Sequence, residues 1–84
     1  PDMLTFSADG RTVVVANEGE PNGDYSVDPE GSVSIIDVTN VNAPTVRTAT
    51  FSAWIGREAG LRARGVRIYG PGANAAQDLE PEYV

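Results

Sequence analysis

The chain has 84 residues, and twelve acidic against six basic side chains give it a net charge of -6 at pH 7. Nucleic acid and anionic membrane surfaces are bound by clustered positive charge, so this balance disfavours both kinds of partner. The chain lacks cysteine, which excludes a disulfide framework, and no apolar run approaches the roughly 20 residues that span a bilayer. It begins at Pro1 rather than at methionine, and we therefore expect a fragment of a larger protein.

Four short segments are typical of β-strands and are separated by turn-forming residues. Residues 3–6 precede a turn over 7–10, and residues 12–16 follow it as a β-branched run that is apolar on both faces. Residues 31–38 are a third predicted strand, and 45–51 a weaker and more polar fourth. Because consecutive strands joined by turns pair with each other, the pattern predicts one four-stranded antiparallel meander.

An acidic segment over residues 17–31 joins the second and third predicted strands and carries five carboxylates. Carboxylates at this density repel unless they are solvated or share a cation, and Ca²⁺ takes about six to eight oxygen ligands. The spacing does not match an EF-hand, so a solvated flexible loop, a calcium site and a catalytic carboxylate pair all stay open. The candidate metal ligands are these five and two acids near the end of the chain: Glu18, Glu20, Asp24, Asp28, Glu30, Glu80 and Glu82.

After Phe51 the pattern changes to helical spacing. Residues 56–64 are predicted to form a helix that packs Trp54 and Leu61 against the sheet, with Gly65 as the residue that ends it. Three arginines, at positions 62, 64 and 67, form a local basic cluster, which is either a solvated helix face or a site for an anion.

The last four residues repeat the first four as proline, acid, large apolar and aliphatic residue. This match predicts a complete repeat followed by the start of the next, and four-stranded repeats around an axis form a β-propeller. The predicted fold is therefore all-β: one four-stranded antiparallel propeller blade, the first strand of the next blade, and a short helix in the connection. The predicted segments are the blade over 1–51 with its acidic insertion over 18–30, the helical insertion over 52–79, and the next strand over 80–84.

Two sets of motifs carry a family resemblance. The sequences FSADGRTVVVAN (6–17) and GSVSIID (31–37) resemble the surface-layer, or YVTN-type, propeller repeat with its FSPDG turn, although Ala8 replaces the proline. More closely, NEGEP (17–21), DPEGSVSIID (28–37), GVRI (65–68), GPG (70–72) and DLEPEY (78–83) resemble the bacterial choice-of-anchor I family. That resemblance spans nearly the whole chain.

The resemblance implies an exported protein in the extracellular space, the periplasm or at the cell surface, with the neighbouring blades of the same chain as partners. Some members are described as alkaline-phosphatase-like, or as relatives of a mesenchyme-specific surface glycoprotein. Two functions stay open: a binding or scaffold module for a surface or small-molecule ligand, and a calcium-dependent phosphoesterase of the alkaline phosphatase or phytase kind. The chain has no histidine for a Ser-His-Asp triad, so the catalytic residues are undetermined and the noncatalytic function is favoured.

Alternating strand direction also predicts where that function lies. The two long connections, after the second and fourth strands, must leave the same end of an antiparallel meander. Because functional residues concentrate on loops that a rigid sheet holds in place, we expect the acidic long-loop face to be the functional one. The match between the two ends of the chain places Asp2 and Glu82 on that face, so we expect them to meet Glu18, Glu20 and Glu80 at one rim.

Overall fold

The structure, a computed structural model, describes residues 1–84 and contains one antiparallel sheet. The strands follow one another in space in the order of the chain, as the predicted meander requires. The bounds of all four strands agree with the predicted ones to within one residue at each end. The strands are β1 (Met3–Phe6), β2 (Thr12–Asn17), β3 (Ser32–Asp37) and β4 (Thr45–Thr50).

The turn between β1 and β2 closes without the proline of the related repeat. Gly10 takes a φ of 72°, which favours glycine, and its amide donates to the carbonyl of Ser7 at 2.9 Å. The Asp9 carboxylate accepts the Ser7 hydroxyl at 2.7 Å and the amide of Arg11 at 3.0 Å. These bonds hold the pKa of Asp9 below its ordinary value, so Ala8 leaves the turn intact.

Both faces of the sheet are largely apolar. The register pairs Leu4 with Val15 and Met3 with Ala16, and each row of paired residues points to one face. We call the two surfaces the Leu4 face and the Met3 face. The apolar members of the Leu4 face are Leu4, Phe6, Val13, Val15, Ile36 and Val46, and those of the Met3 face are Met3, Val14, Ala16, Val33, Ile35 and Ala49.

The Leu4 face is largely uncovered within these 84 residues, whereas the Met3 face contains the buried Ala16. Ala16 is the one strand residue that is buried, whereas Leu4, Phe6 and Val46 each remain about 60% exposed. The molecule is only 18 Å thick along its shortest axis. A single sheet of this kind has no core of its own, because a core needs a second layer.

The small core lies in the connection that follows β4. This segment contains a 3₁₀ turn (Ser52–Trp54) and two short helices, α1 (Glu58–Ala63) and α2 (Ala75–Asp78). The helix predicted over 56–64 is thus confirmed in its centre. It is shorter than predicted, since Gly56 and Gly65 on either side take positive φ values of 85° and 91°.

The predicted docking of this helix on the sheet is wrong. Leu61 is buried against Ile68 and Ala75, with Val66 packed beside them, so the connection forms its own cluster. Trp54 is 37% exposed. The physical reason is proximity along the chain, since four apolar residues within 15 positions can meet at little cost in loop closure.

Residues 80–84 form no strand in this structure. They run past the end of the sheet toward β1, where the amide of Val84 lies 3.4 Å from the sulfur of Met3. A strand needs a hydrogen-bonded neighbour, and the neighbour expected here belongs to the next repeat. The first strand of a next blade therefore stays a prediction. No helix in the structure has the length and apolar character to cross a membrane.

Candidate functional site

The β2–β3 loop and the connection after β4 meet at one end of the sheet, which we call the loop end. The amide of Gly31 donates to the carbonyl of Ala76 at 2.9 Å, and the Gln77 side chain donates to the carbonyl of Asp28 at 3.1 Å. The expectation that both long connections share one end is confirmed. These two bonds tie the acidic loop to α2.

Two glycines close the base of the acidic loop. Gly19 has a φ of 73°, and a Cβ there would lie 2.9 Å from the backbone oxygens of Pro29 and Glu30. A Cβ on Gly31 would overlap the backbone oxygen of Leu79 and lie 2.8 Å from the ring of Pro81. The two ends of the loop therefore pack closely against each other and against the last residues of the chain.

The tip of the loop is ordered by its own side chains. The Asn22 carboxamide accepts the amide of Val27 at 3.0 Å, and the Asp24 carboxylate accepts the amide of Ser26 at 3.0 Å. Tyr25 takes a positive φ of 60°, which few residues other than glycine adopt. Hydrogen bonds from Ser26 hold the pKa of Asp24 below its ordinary value, so this carboxylate organises the tip.

Helix α2 is held in place by residues that the sequence analysis did not single out. Asn74 and Gln77 form a reciprocal capping box at its start, with both bonds at 3.0 Å. Asp78, at its end, accepts the amides of Tyr69 at 2.7 Å and Gly70 at 3.0 Å. The spacing Asn-x-x-Gln is a signal that could have revealed this helix.

Glu58 links the two helices. One of its carboxylate oxygens accepts the amide of Gly56 at 3.1 Å and the amide of Ala75 at 2.9 Å. Hydrogen bonds to backbone amides hold the pKa of Glu58 below its ordinary value. The carboxylate thus stabilises the connection in its ionised form.

Seven carboxylates at the loop end form what we call the acidic rim. Partial burial, followed by repulsion from Asp78, Glu18, Asp28 and Glu20, raises the pKa of Glu80. Partial burial also raises the pKa of Glu18, with smaller contributions from Asp2, Glu20 and Glu82. The rim consists of Asp2, Glu18, Glu20, Asp28, Asp78, Glu80 and Glu82.

Ionisation of Glu18 and Glu80 opposes folding. A pKa above the ordinary 4.5 means that folded Glu80 holds its proton more tightly than the unfolded chain does. Its destabilising contribution is therefore absent well below pH 4.5 and grows as the pH rises through the folded-state pKa. A partner that brings positive charge to the rim would relieve this repulsion.

The structure divides the seven candidate metal ligands. Glu18, Glu20, Asp28, Glu80 and Glu82 belong to the acidic rim, whereas Asp24 is used in the loop tip and Glu30 is exposed at the base of the loop. No three carboxylates come together closely enough to hold a metal ion between them. One oxygen of Asp28 is buried and has no hydrogen-bond partner. Calcium binding at these residues stays a prediction.

The comparison with known protein families gives one match. The family model described as the choice-of-anchor I domain matches residues 1–84, which is the whole chain. No curated protein and no solved structure matches the chain.

Proposed function

Because the chain belongs to the choice-of-anchor I domain family, we propose that it is one blade of an exported or cell-surface β-propeller that acts as a binding or scaffold module. The family name indicates a cell-surface-associated domain. The loop end would be the binding face, since it carries both long connections and the acidic rim.

The observation that carries the proposal is a sheet that is apolar on both faces and whose Leu4 face is largely uncovered. A sheet with one face in water alternates apolar and polar residues, but Val13, Val14 and Val15 place valine on both faces. Two further sheets, one against each face, would bury these residues, and this is the environment of a blade between two neighbours. The exposed Leu4 and Phe6 would be covered in the same way.

The proposal predicts that the two faces are equally sensitive to a buried hydroxyl. In the intact protein, Val14→Thr on the Met3 face and Val15→Thr on the Leu4 face should each lower the free energy of unfolding by about 1–2 kcal/mol. Chemical denaturation measures both. Val41→Thr is the control, because Val41 lies in the short β3–β4 turn and is 77% exposed. If either sheet variant were as harmless as the control, that face would be in water and the blade proposal would be wrong.

The acidic rim suggests what the binding face attracts. Glu18 and Glu80 have raised pKa values because partial burial and nearby carboxylates disfavour their charged forms. Concentrated negative charge on a constrained loop favours partners with complementary positive charge and speeds their association. The close backbone contacts at Gly19 and Gly31 restrict the position of this loop.

Calcium is the simplest cation with which to test the rim. We expect millimolar Ca²⁺ to raise the melting temperature of the intact protein relative to EDTA, because an ion bound only by the folded state stabilises it. Glu18→Gln and Glu82→Gln should shrink the rise. Asp9→Asn, which removes a charge at the opposite end of the sheet, should leave it unchanged.

An unchanged melting temperature in calcium would end the idea of a cation site at the rim. Calcium-dependent hydrolysis of p-nitrophenyl phosphate, lost in Glu18→Gln and Glu82→Gln but kept in Asp9→Asn, would instead support the phosphoesterase function.

A further inference from the structure

A groove of about 330 Å³ lies on the connection after β4, outside the acidic rim. Leu61 is 8% exposed at its floor, and the indole of Trp54 is 37% exposed beside it. Small-molecule sites are commonly concave and apolar, with few polar groups that orient the ligand, and their volumes begin at roughly 300 Å³. The lining residues are Trp54, Arg57, Gly60, Leu61 and Arg64.

The backbone brings these residues to one side of the segment. The amide of Arg57 donates to the carbonyl of Trp54 at 2.9 Å, and the amide of Leu61 donates to the carbonyl of Arg57 at 3.1 Å. Arg57, Leu61 and Arg64 lie in or at the ends of α1 at spacings of four and three, which aligns side chains along one side of a helix. Trp54 ends the preceding 3₁₀ turn, and the chain turns at Gly56 before α1 begins.

The structure divides the arginine cluster that the sequence indicated. Arg62 donates its Nε to the carbonyl of Ile68 at 3.0 Å, and the guanidinium of Arg67 lies 4.0 Å from the centre of the Tyr69 ring. Those two arginines are engaged within the chain. Arg64 is exposed and lines the groove together with Arg57. The groove is therefore locally positive in a chain whose net charge is -6.

Gly60 keeps the groove open. It lies within α1 with an ordinary negative φ, and a Cβ added there would meet nothing within 4 Å. Alanine would favour the helix, since glycine is the weaker helix former. A glycine that neither the backbone angle nor close packing requires is explained by the space that it leaves beside Trp54.

We propose that this groove binds a small organic anion in which a carboxylate or phosphate is attached to a flat apolar ring. The ring would stack on the indole of Trp54, and the anionic group would lie between the guanidiniums of Arg57 and Arg64. Arginine forms bidentate bonds with both carboxylate and phosphate, and aromatic rings pair by offset stacking. The groove lies wholly within residues 54–64, so no strand of the sheet contributes to it.

Benzoate and phenyl phosphate are suitable probes of the two anionic groups, and each is titrated into the intact protein by calorimetry. Tryptophan fluorescence is recorded in parallel with the calorimetry. A ligand-induced change that is lost in Trp54→Phe assigns the binding to the groove. We expect saturable binding of one or both probes. Benzyl alcohol, which lacks the charge, and inorganic phosphate, which lacks the ring, should each bind at least about tenfold more weakly.

Four variants and a control test the geometry. Arg57→Gln and Arg64→Gln should each weaken binding by about tenfold, and Gly60→Leu should abolish it by filling the groove. Gly60→Ala should weaken binding while raising helix stability, which separates loss of the site from loss of the fold. Arg11→Gln is the control, because Arg11 is an exposed arginine in the β1–β2 turn, away from the groove.

Absence of saturable binding by both ring anions would overturn the proposal, and so would full binding by Gly60→Leu. The same holds if Arg11→Gln weakens binding as much as Arg57→Gln, since the attraction would then come from the overall charge of the protein. A groove filled by an acidic peptide segment of the intact protein would show as no binding by any probe, and that result also counts against the proposal.

Discussion

Gly31→Ala should detach the end of the chain from the base of the acidic loop and lower the free energy of unfolding by about 3 kcal/mol, at the upper end of the cost of overpacking. The added Cβ would overlap the backbone oxygen of Leu79, which cannot rotate away as a side chain could. Relief requires that the segment carrying Leu79 and Pro81 move. Such a movement also threatens the 2.9 Å bond from the amide of Gly31 to the carbonyl of Ala76.

Gly23→Ala is the matched control, because Gly23 belongs to the same loop but has open space around it and no positive φ. Alanine there should be neutral, or should stabilise by about 0.4–1 kcal/mol through the unfolded state. Thermal or chemical denaturation of the intact protein compares the two variants. Equal effects at positions 23 and 31 would show that residues 79–81 do not lie against Gly31 in solution.

Leu61→Asp should unfold the helical connection. Leu→Ala replacements in buried positions cost about 2–5 kcal/mol, and a carboxylate adds the cost of burying a charge against Ile68 and Ala75. The effect should be local, because the cluster lies in the connection and the sheet makes its own hydrogen bonds. Limited proteolysis should therefore cut within residues 52–79 before it cuts the strands.

Ala59→Asp introduces the same charge on the exposed side of α1 and should leave the proteolysis pattern unchanged. It lies in the first turn of the helix, where a negative charge is favourable. If Leu61→Asp and Ala59→Asp were cleaved alike, the cluster of Leu61, Ile68 and Ala75 would not be what holds the connection together.

The failures of sequence reasoning have a common cause. The sequence around Glu58 predicts an acid on the surface of a helix. Its carboxylate instead accepts a hydrogen bond from the amide of Ala75, 17 positions later. Nothing in the local sequence distinguishes Asp78 from the other acids near the end of the chain. In the structure its carboxylate accepts hydrogen bonds from the amides of Tyr69 and Gly70. Partners this far apart along the chain are brought together by folding, and no spacing rule predicts them.

The same reasoning separates the carboxylates of the candidate site. Within residues 17–31 the acids look alike, but Asp24 bonds to the loop tip, whereas Glu18 lies among the charges of Asp2 and Glu82. Residues 2 and 82 lie at opposite ends of the chain. The match between the first and last four residues predicts that Asp2 and Glu82 lie on the same face as Glu18. In the structure both charges contribute to the raised pKa of Glu18.

The sequence by itself determined the four strands, their antiparallel order and the meeting of the two long connections at one end. These follow from β-branched runs, from a turn closed by Gly10, and from the alternation of strand direction, all of which act between neighbours in the chain. Only the tertiary structure decided that Leu61 packs within the connection, that the arginines divide between internal partners and a groove, and that Asp24 bonds within the loop tip. The physical reason is that burial, repulsion and hydrogen bonding depend on distances in space, and the folded chain sets those distances between residues far apart in sequence.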